Sequence, residues 1–174
     1  MAHDVRIAIS CPDRSGLISA LTGYLFDLGA DMGDASFAVL SGAAEFAAVA
    51  RLPDDVAPDA VRTRLASLPE LAGADITVTA FSTGAARGDS ADATHRVEIR
   101  GTDRPGLVAR LTEAFADYDA NIEYMVCERV SGGAAEDYVI RIEVSIPADR
   151  AETCLAAVDN TAQSLGLSSS AAAL

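Results

Sequence analysis

The sequence has no tryptophan, and aromatic residues make up only 5% of its 174 positions, although half of the positions are apolar. Its cores must therefore be filled by small and aliphatic side chains in close helix-to-sheet contact rather than by large rings. Positive charge is scarce as well: 13 Lys and Arg stand against 26 Asp and Glu, a formal net charge of −13. That field repels a phosphate backbone, and no Lys or Arg cluster offers a local exception, so direct nucleic-acid binding is not expected. Met1 to Arg6 lacks the basic start and apolar stretch of a signal peptide, and no uninterrupted apolar run approaches about 18 residues. A cytoplasmic location without a membrane span is the expectation.

Thiols and imidazoles are equally sparse. Cys11, Cys127 and Cys154 form an odd set without CxxC spacing, which argues against a disulfide framework or a thiolate metal site. They read as free thiols, with Cys11 a small hydrophobe at a strand end. His3 and His95 have no second ligand beside them, so neither a metal site nor His-dependent catalysis is expected. Ser10, Ser15 and Ser19 lack an evident His and acid partner, and there is no GxSxG elbow, phosphate loop or dinucleotide fingerprint. The expectation is a non-catalytic chain without a cofactor.

What the sequence does contain is a repeat. Asp13-Arg14-Ser15-Gly16-Leu17 recurs as Asp103-Arg104-Pro105-Gly106-Leu107, 90 positions later. In the same register Leu21 matches Leu111, Thr22 matches Thr112, Asp27 matches Asp117 and Ala30 matches Ala120. A period of that length is too long for a solenoid unit and fits duplication of a small domain.

Each repeat opens with an alternating strand, Val5 to Ile9 and His95 to Ile99, followed by the repeated stretch and an amphipathic helix. The helix carries Leu17, Leu21, Leu25 and Leu28 in the first half, and Leu107, Leu111, Phe115 and Tyr118 in the second. Asp13 and Asp103 are expected to cap these helices, Pro105 to sit in the first turn, and Gly16 and Gly106 to let backbones approach. Hairpins follow at Ala35–Leu40 with Glu45–Leu52, and at Ile122–Val130 with Asp137–Ile146. Second helices are expected over Asp59–Leu68 and Asp149–Leu165, and a fourth strand over Ala74–Phe81. In the second half only Leu167 to Ser170 and an Ala-rich tail remain for that strand, which is expected to be short, irregular or supplied from elsewhere.

The order β-α-β-β-α-β predicts an α+β protein of two ferredoxin-like units, each an antiparallel sheet with helices on one face. The expected bounds are residues 1–82 and 94–174, joined by a Gly, Ala, Ser and Asp-rich linker over 83–93.

A strand ending in Asp-Arg-Pro-Gly-Leu, an amphipathic helix, and Asn121-Ile122 opening the next strand resemble the ACT domain. Two such units in one chain resemble the glycine cleavage system transcriptional repressor family. The first half departs from the pattern with Ser15 for Pro and Asp31-Met32 for Asn-Ile. The resemblance implies a regulatory protein that binds an amino acid such as glycine or serine and modulates transcription through a protein partner, such as an activator. It also implies side-by-side pairing of sheets, with a homodimer possible, and a ligand at the interface against the loop entering the first helix. The matching positions are Asp13, Gly16 and Asp31, and Asp103, Gly106 and Asn121. Free N–H groups at a helix start suit an α-carboxylate, while Asp and Asn side chains suit an α-ammonium. The residue types alone, without the repeat and the resemblance, suit plain caps, packing glycines and a turn residue better than a binding site. Arg14 and Arg104 are expected to meet solvent or an acidic neighbour. A second reading is a regulatory subunit or module of an enzyme of amino-acid or one-carbon metabolism.

Overall fold

The computed structural model describes residues 2–82, 92–131 and 136–174, and the chain divides into two compact units, Met1–Ala85 and Ala86–Leu174. Most of the expected linker, residues 83–91, lies outside the described residues, as do 132–135 of the second hairpin turn.

Unit 1 runs β1 (His3–Pro12), α1 (Leu17–Asp27), β2 (Asp31–Leu40), β3 (Ala43–Leu52), α2 (Pro58–Leu65), a 3-10 turn (Pro69–Leu71) and β4 (Asp75–Ala80). Unit 2 runs β5 (His95–Gly101), α3 (Leu107–Ala116), β6 (Asn121–Ser131), β7 (Glu136–Ser145), α4 (Ala151–Ser164) and β8 (Ser168–Ala173). The sheets have orders β2-β3-β1-β4 and β6-β7-β5-β8, antiparallel throughout. This is the expected α+β, ferredoxin-like architecture in duplicate.

The period of two along each central strand decides which face takes the helices. In β1, Val5, Ile7, Ile9 and Cys11 are buried, and they join Leu17, Leu21 and Leu25 of α1 and Val61 and Leu65 of α2 in one core. In unit 2, Val97 and Ile99 of β5 join Leu107, Leu111 and Phe115 of α3 and Cys154 and Val158 of α4. Phe115 and Phe46 are the two aromatic rings among the buried residues, so aliphatic packing carries both cores.

Several boundaries differ from expectation. Strand β2 starts at Asp31 rather than Ala35, because an irregularity between Met32 and Ala35 carries the pairing past a polar stretch. Helix α2 ends at Leu65, and the expected continuation to Leu68 gives way to the 3-10 turn that begins at Pro69. Strand β8 is regular: Ser168 to Ala173 pair without a break with Arg100 to His95, so the second sheet completes itself from its own unit.

Candidate functional site

The repeated stretch forms the same tight turn in both units. In unit 1 the Leu17 N–H donates to the Arg14 carbonyl at 3.3 Å, and Gly16 has φ 87° and ψ −6°. In unit 2 the Leu107 N–H donates to the Arg104 carbonyl at 3.4 Å, and Gly106 has φ 89° and ψ −2°. With negative φ at the preceding residue, these are type II turns, which take Pro at the first central position and Gly at the second. Pro105 therefore precedes α3 rather than sitting in its first turn.

Two expectations about these residues are corrected. Asp13 and Asp103 are not helix caps: the N-cap positions are Gly16 and Gly106, and no side chain caps either helix. The glycines are not there for packing, since a Cβ at either would meet nothing within 4 Å. Their left-handed φ is what selects glycine. The result is an open space above each turn, beside N–H groups of the first helical turn that no side chain satisfies.

The polar surroundings of the two turns differ. Asp13 donates its N–H to the Gly42 carbonyl at 2.9 Å, and its carboxylate has no side-chain partner among the described residues. The Arg14 guanidinium reaches neither solvent alone nor an acid, because it donates to the carbonyls of Pro69 at 3.1 Å and Ala72 at 2.9 Å around the 3-10 turn. In unit 2 the Asp103 carboxylate accepts from Arg129 of β6, Nη2 at 2.6 Å and Nε at 3.2 Å. Arg104 has no partner among the described residues. Sequence reasoning overlooked Arg129. The usable signal was its repeat partner 90 positions earlier, the apolar Val39.

Beside Asp103 and Arg129, the Tyr138 hydroxyl is pushed above its ordinary range. The largest cause is its hydrogen bond with the Cys127 thiol, followed by burial, and the negative charge of Asp103 adds to both. Cys11, next to the first turn, is a core residue at 4% exposure, and burial pushes its thiol up. Among the described residues no group of three or more His, Cys, Asp or Glu could hold a metal ion.

The third expected member of each site lies elsewhere. Asp31 pairs with Arg51, which pairs with Asp4 at the start of β1, whereas Asp13 follows the end of that strand. The separation along the sheet is roughly 30 Å from the rise per residue. Asn121 likewise pairs with Ser145 near the beginning of β5, and its Nδ2 donates to Glu123 at 2.5 Å. Within one unit, then, Asp13 and Gly16 come together without Asp31, and Asp103 and Gly106 without Asn121. The reason is topological: α1 and α3 carry the chain back along the sheet before β2 and β6 begin.

The ACT domain family profile matches residues 95–153. A crystal structure of an unknown protein from Galdieria sulphuraria superposes with a TM-score of 0.79 at 17% identity, covering 100% of this chain and 99% of that chain. A second crystal structure, of a "putative glycine cleavage system transcriptional repressor", gives a TM-score of 0.67 at 16% identity, covering 100% and 98%. The chain is a tandem of ACT-like folds. At these identities the likeness speaks for architecture alone. No curated protein matches the sequence. Neither ACT-like unit has a helix among its described residues long and apolar enough to cross a membrane.

Proposed function

We propose that this tandem ACT-like chain is a non-catalytic regulatory protein that binds a free amino acid, such as glycine or serine, and modulates transcription through a protein partner in the cytoplasm. The observation that carries the reading is the duplicated loop: a type II turn with open space over its glycine, leading into a helix start that no side chain caps. Such a start offers N–H donors and the positive end of the helix dipole to an α-carboxylate.

The strand starts at Asp31 and Asn121 are the expected ammonium partners. Because each lies at the far end of its own sheet, a ligand touching both parts would draw them from two different sheets, which two copies of the chain can supply. Antiparallel pairing of an exposed edge strand with its symmetry mate brings the start of one strand to the end of the other, and β2 and β6 are such edges. A homodimer is thus part of the proposal. The acidic chain suits a partner-mediated role, since it can mask a DNA-binding activator without contacting DNA.

A thermal-shift screen against the free amino acids tests the reading directly, because a ligand held only by the folded chain raises its apparent stability. Glycine or serine is expected to raise Tm, and Asn121→Ala is expected to weaken binding in unit 2 by about 1 to 3 kcal/mol. A screen in which no amino acid shifts Tm would overturn the ligand. Co-purification of a metabolic enzyme in place of a transcription factor would overturn the partner.

A further inference from the structure

We infer that the two turns differ in the ligand they accept: the first takes a neutral amino acid, and the second takes an amino acid with an acidic side chain. This rests on the proposal that the turns bind amino acids, and it follows from a reversal of which charge is free at each. At the first turn the guanidinium of Arg14 is held by the carbonyls of Pro69 and Ala72, and the Asp13 carboxylate has no side-chain partner among the described residues. At the second the carboxylate of Asp103 is held by Arg129 at 2.6 Å, and the Arg104 guanidinium has no partner among the described residues.

The reversal has an identifiable origin on each side. Unit 1 has a 3-10 turn at Pro69–Leu71 whose carbonyls receive Arg14, whereas in unit 2 the longer α4 runs through to Ser164 and no such turn forms among the described residues. Unit 2 has Arg129 at the β6 position that Val39 occupies on β2, so among the described residues Asp103 has an ion-pair partner and Asp13 has none. A free carboxylate beside a helix start attracts an α-ammonium and repels a second carboxylate. A free guanidinium does the opposite, and its planar fork matches a carboxylate in two parallel hydrogen bonds. In a chain of net charge −13, a locally unneutralised Arg is also the kind of feature that draws an anionic ligand out of an otherwise repelling field.

Calorimetric titration of the full chain with L-serine and, separately, with L-aspartate tests this. The unmodified protein is expected to bind one equivalent of each per chain. Arg104→Gln should weaken L-aspartate by about ten-fold or more, the scale of a lost charge-assisted contact, and leave L-serine unchanged. Arg129→Gln should free Asp103 and raise the L-serine stoichiometry from one to two per chain, a change that a merely structural role for Arg129 would not produce. If both ligands bind but Arg104→Gln leaves L-aspartate untouched, or if L-serine already fills two sites in the unmodified protein, the discrimination is overturned while amino-acid binding stands. If neither these two nor any other amino acid binds, both fall together.

Discussion

Ser41 and Gly42 close the first hairpin with φ of 52° and 86° between the paired residues Leu40 and Ala43. Positive φ at both central positions makes a type I′ turn, whose twist matches that of the strands and whose preferred first residue is Asn. Serine tolerates this conformation less well than Asn, so Ser41→Asn is expected to stabilise the protein by about 0.5 kcal/mol. The check is a higher urea midpoint at unchanged slope. The same scale shows where sequence reasoning reached its limit. The residues Asp13, Gly16, Asp103 and Gly106 were legible as one repeated device, yet their roles were misassigned, because Asp is a common cap and only the backbone angles distinguish a type II turn from a capped start. Arg129 was not legible from its own surroundings, since an Arg on an exposed edge strand is ordinary until its reach to Asp103 is known.

At the scale of elements, the face of the second sheet away from the helices carries a lattice of paired charges. Glu98 of β5 accepts from Arg100 at 2.7 Å and from Arg141 of β7 at 2.9 Å, and Arg141 also donates to Glu128 of β6 at 2.5 Å. Arg96 and Glu143 form a further cross-strand pair at 2.7 Å. The two arginines, Arg100 first and Arg141 next, hold the Glu98 carboxyl below its ordinary 4.5. A lowered folded-state value means that the stabilisation is present above about pH 4.5 and is lost as pH falls through the folded value. Glu98→Gln should therefore be less stable than the parent near neutrality and converge with it in acid. Equal spacing of the two stability curves at pH 7 and pH 3 would refute this role. Strands such as β5 and β7 were legible from their alternation, whereas β8 was not: Ser168 to Ala173 show no apolar period, and only their pairing with β5 makes them a strand.

At the scale of the whole molecule, duplication was the most legible feature, because the 90-residue register survives where the side chains have diverged. The residues of the two core clusters are disjoint, one gathered on β1 and β3 and the other on β5 and β7. Leu21 and Leu111 occupy equivalent helix positions and are 1% and 0% exposed. Replacing either by Ala removes buried volume that small neighbours fill poorly, at a cost of about 2 to 5 kcal/mol. Each substitution is expected to lower hydrogen-exchange protection in its own unit and leave the slowest amides of the other unit unchanged. Uniform loss of protection through both units would contradict this independence.

The central place of β1 also governs how quickly a unit can form. Its partners come from far along the chain, with Val5 opposite Ala50 on one side and Ala80 on the other. The β2–β3 hairpin, closed by its two-residue turn, can assemble within microseconds, but it has no sheet to join until β1 docks, and β1 is sealed only when β4 returns. Closing such wide loops before their contacts repay the lost entropy places folding on the millisecond to second scale. The slow step is therefore not making any strand but inserting the one that comes first in the chain between two that come later.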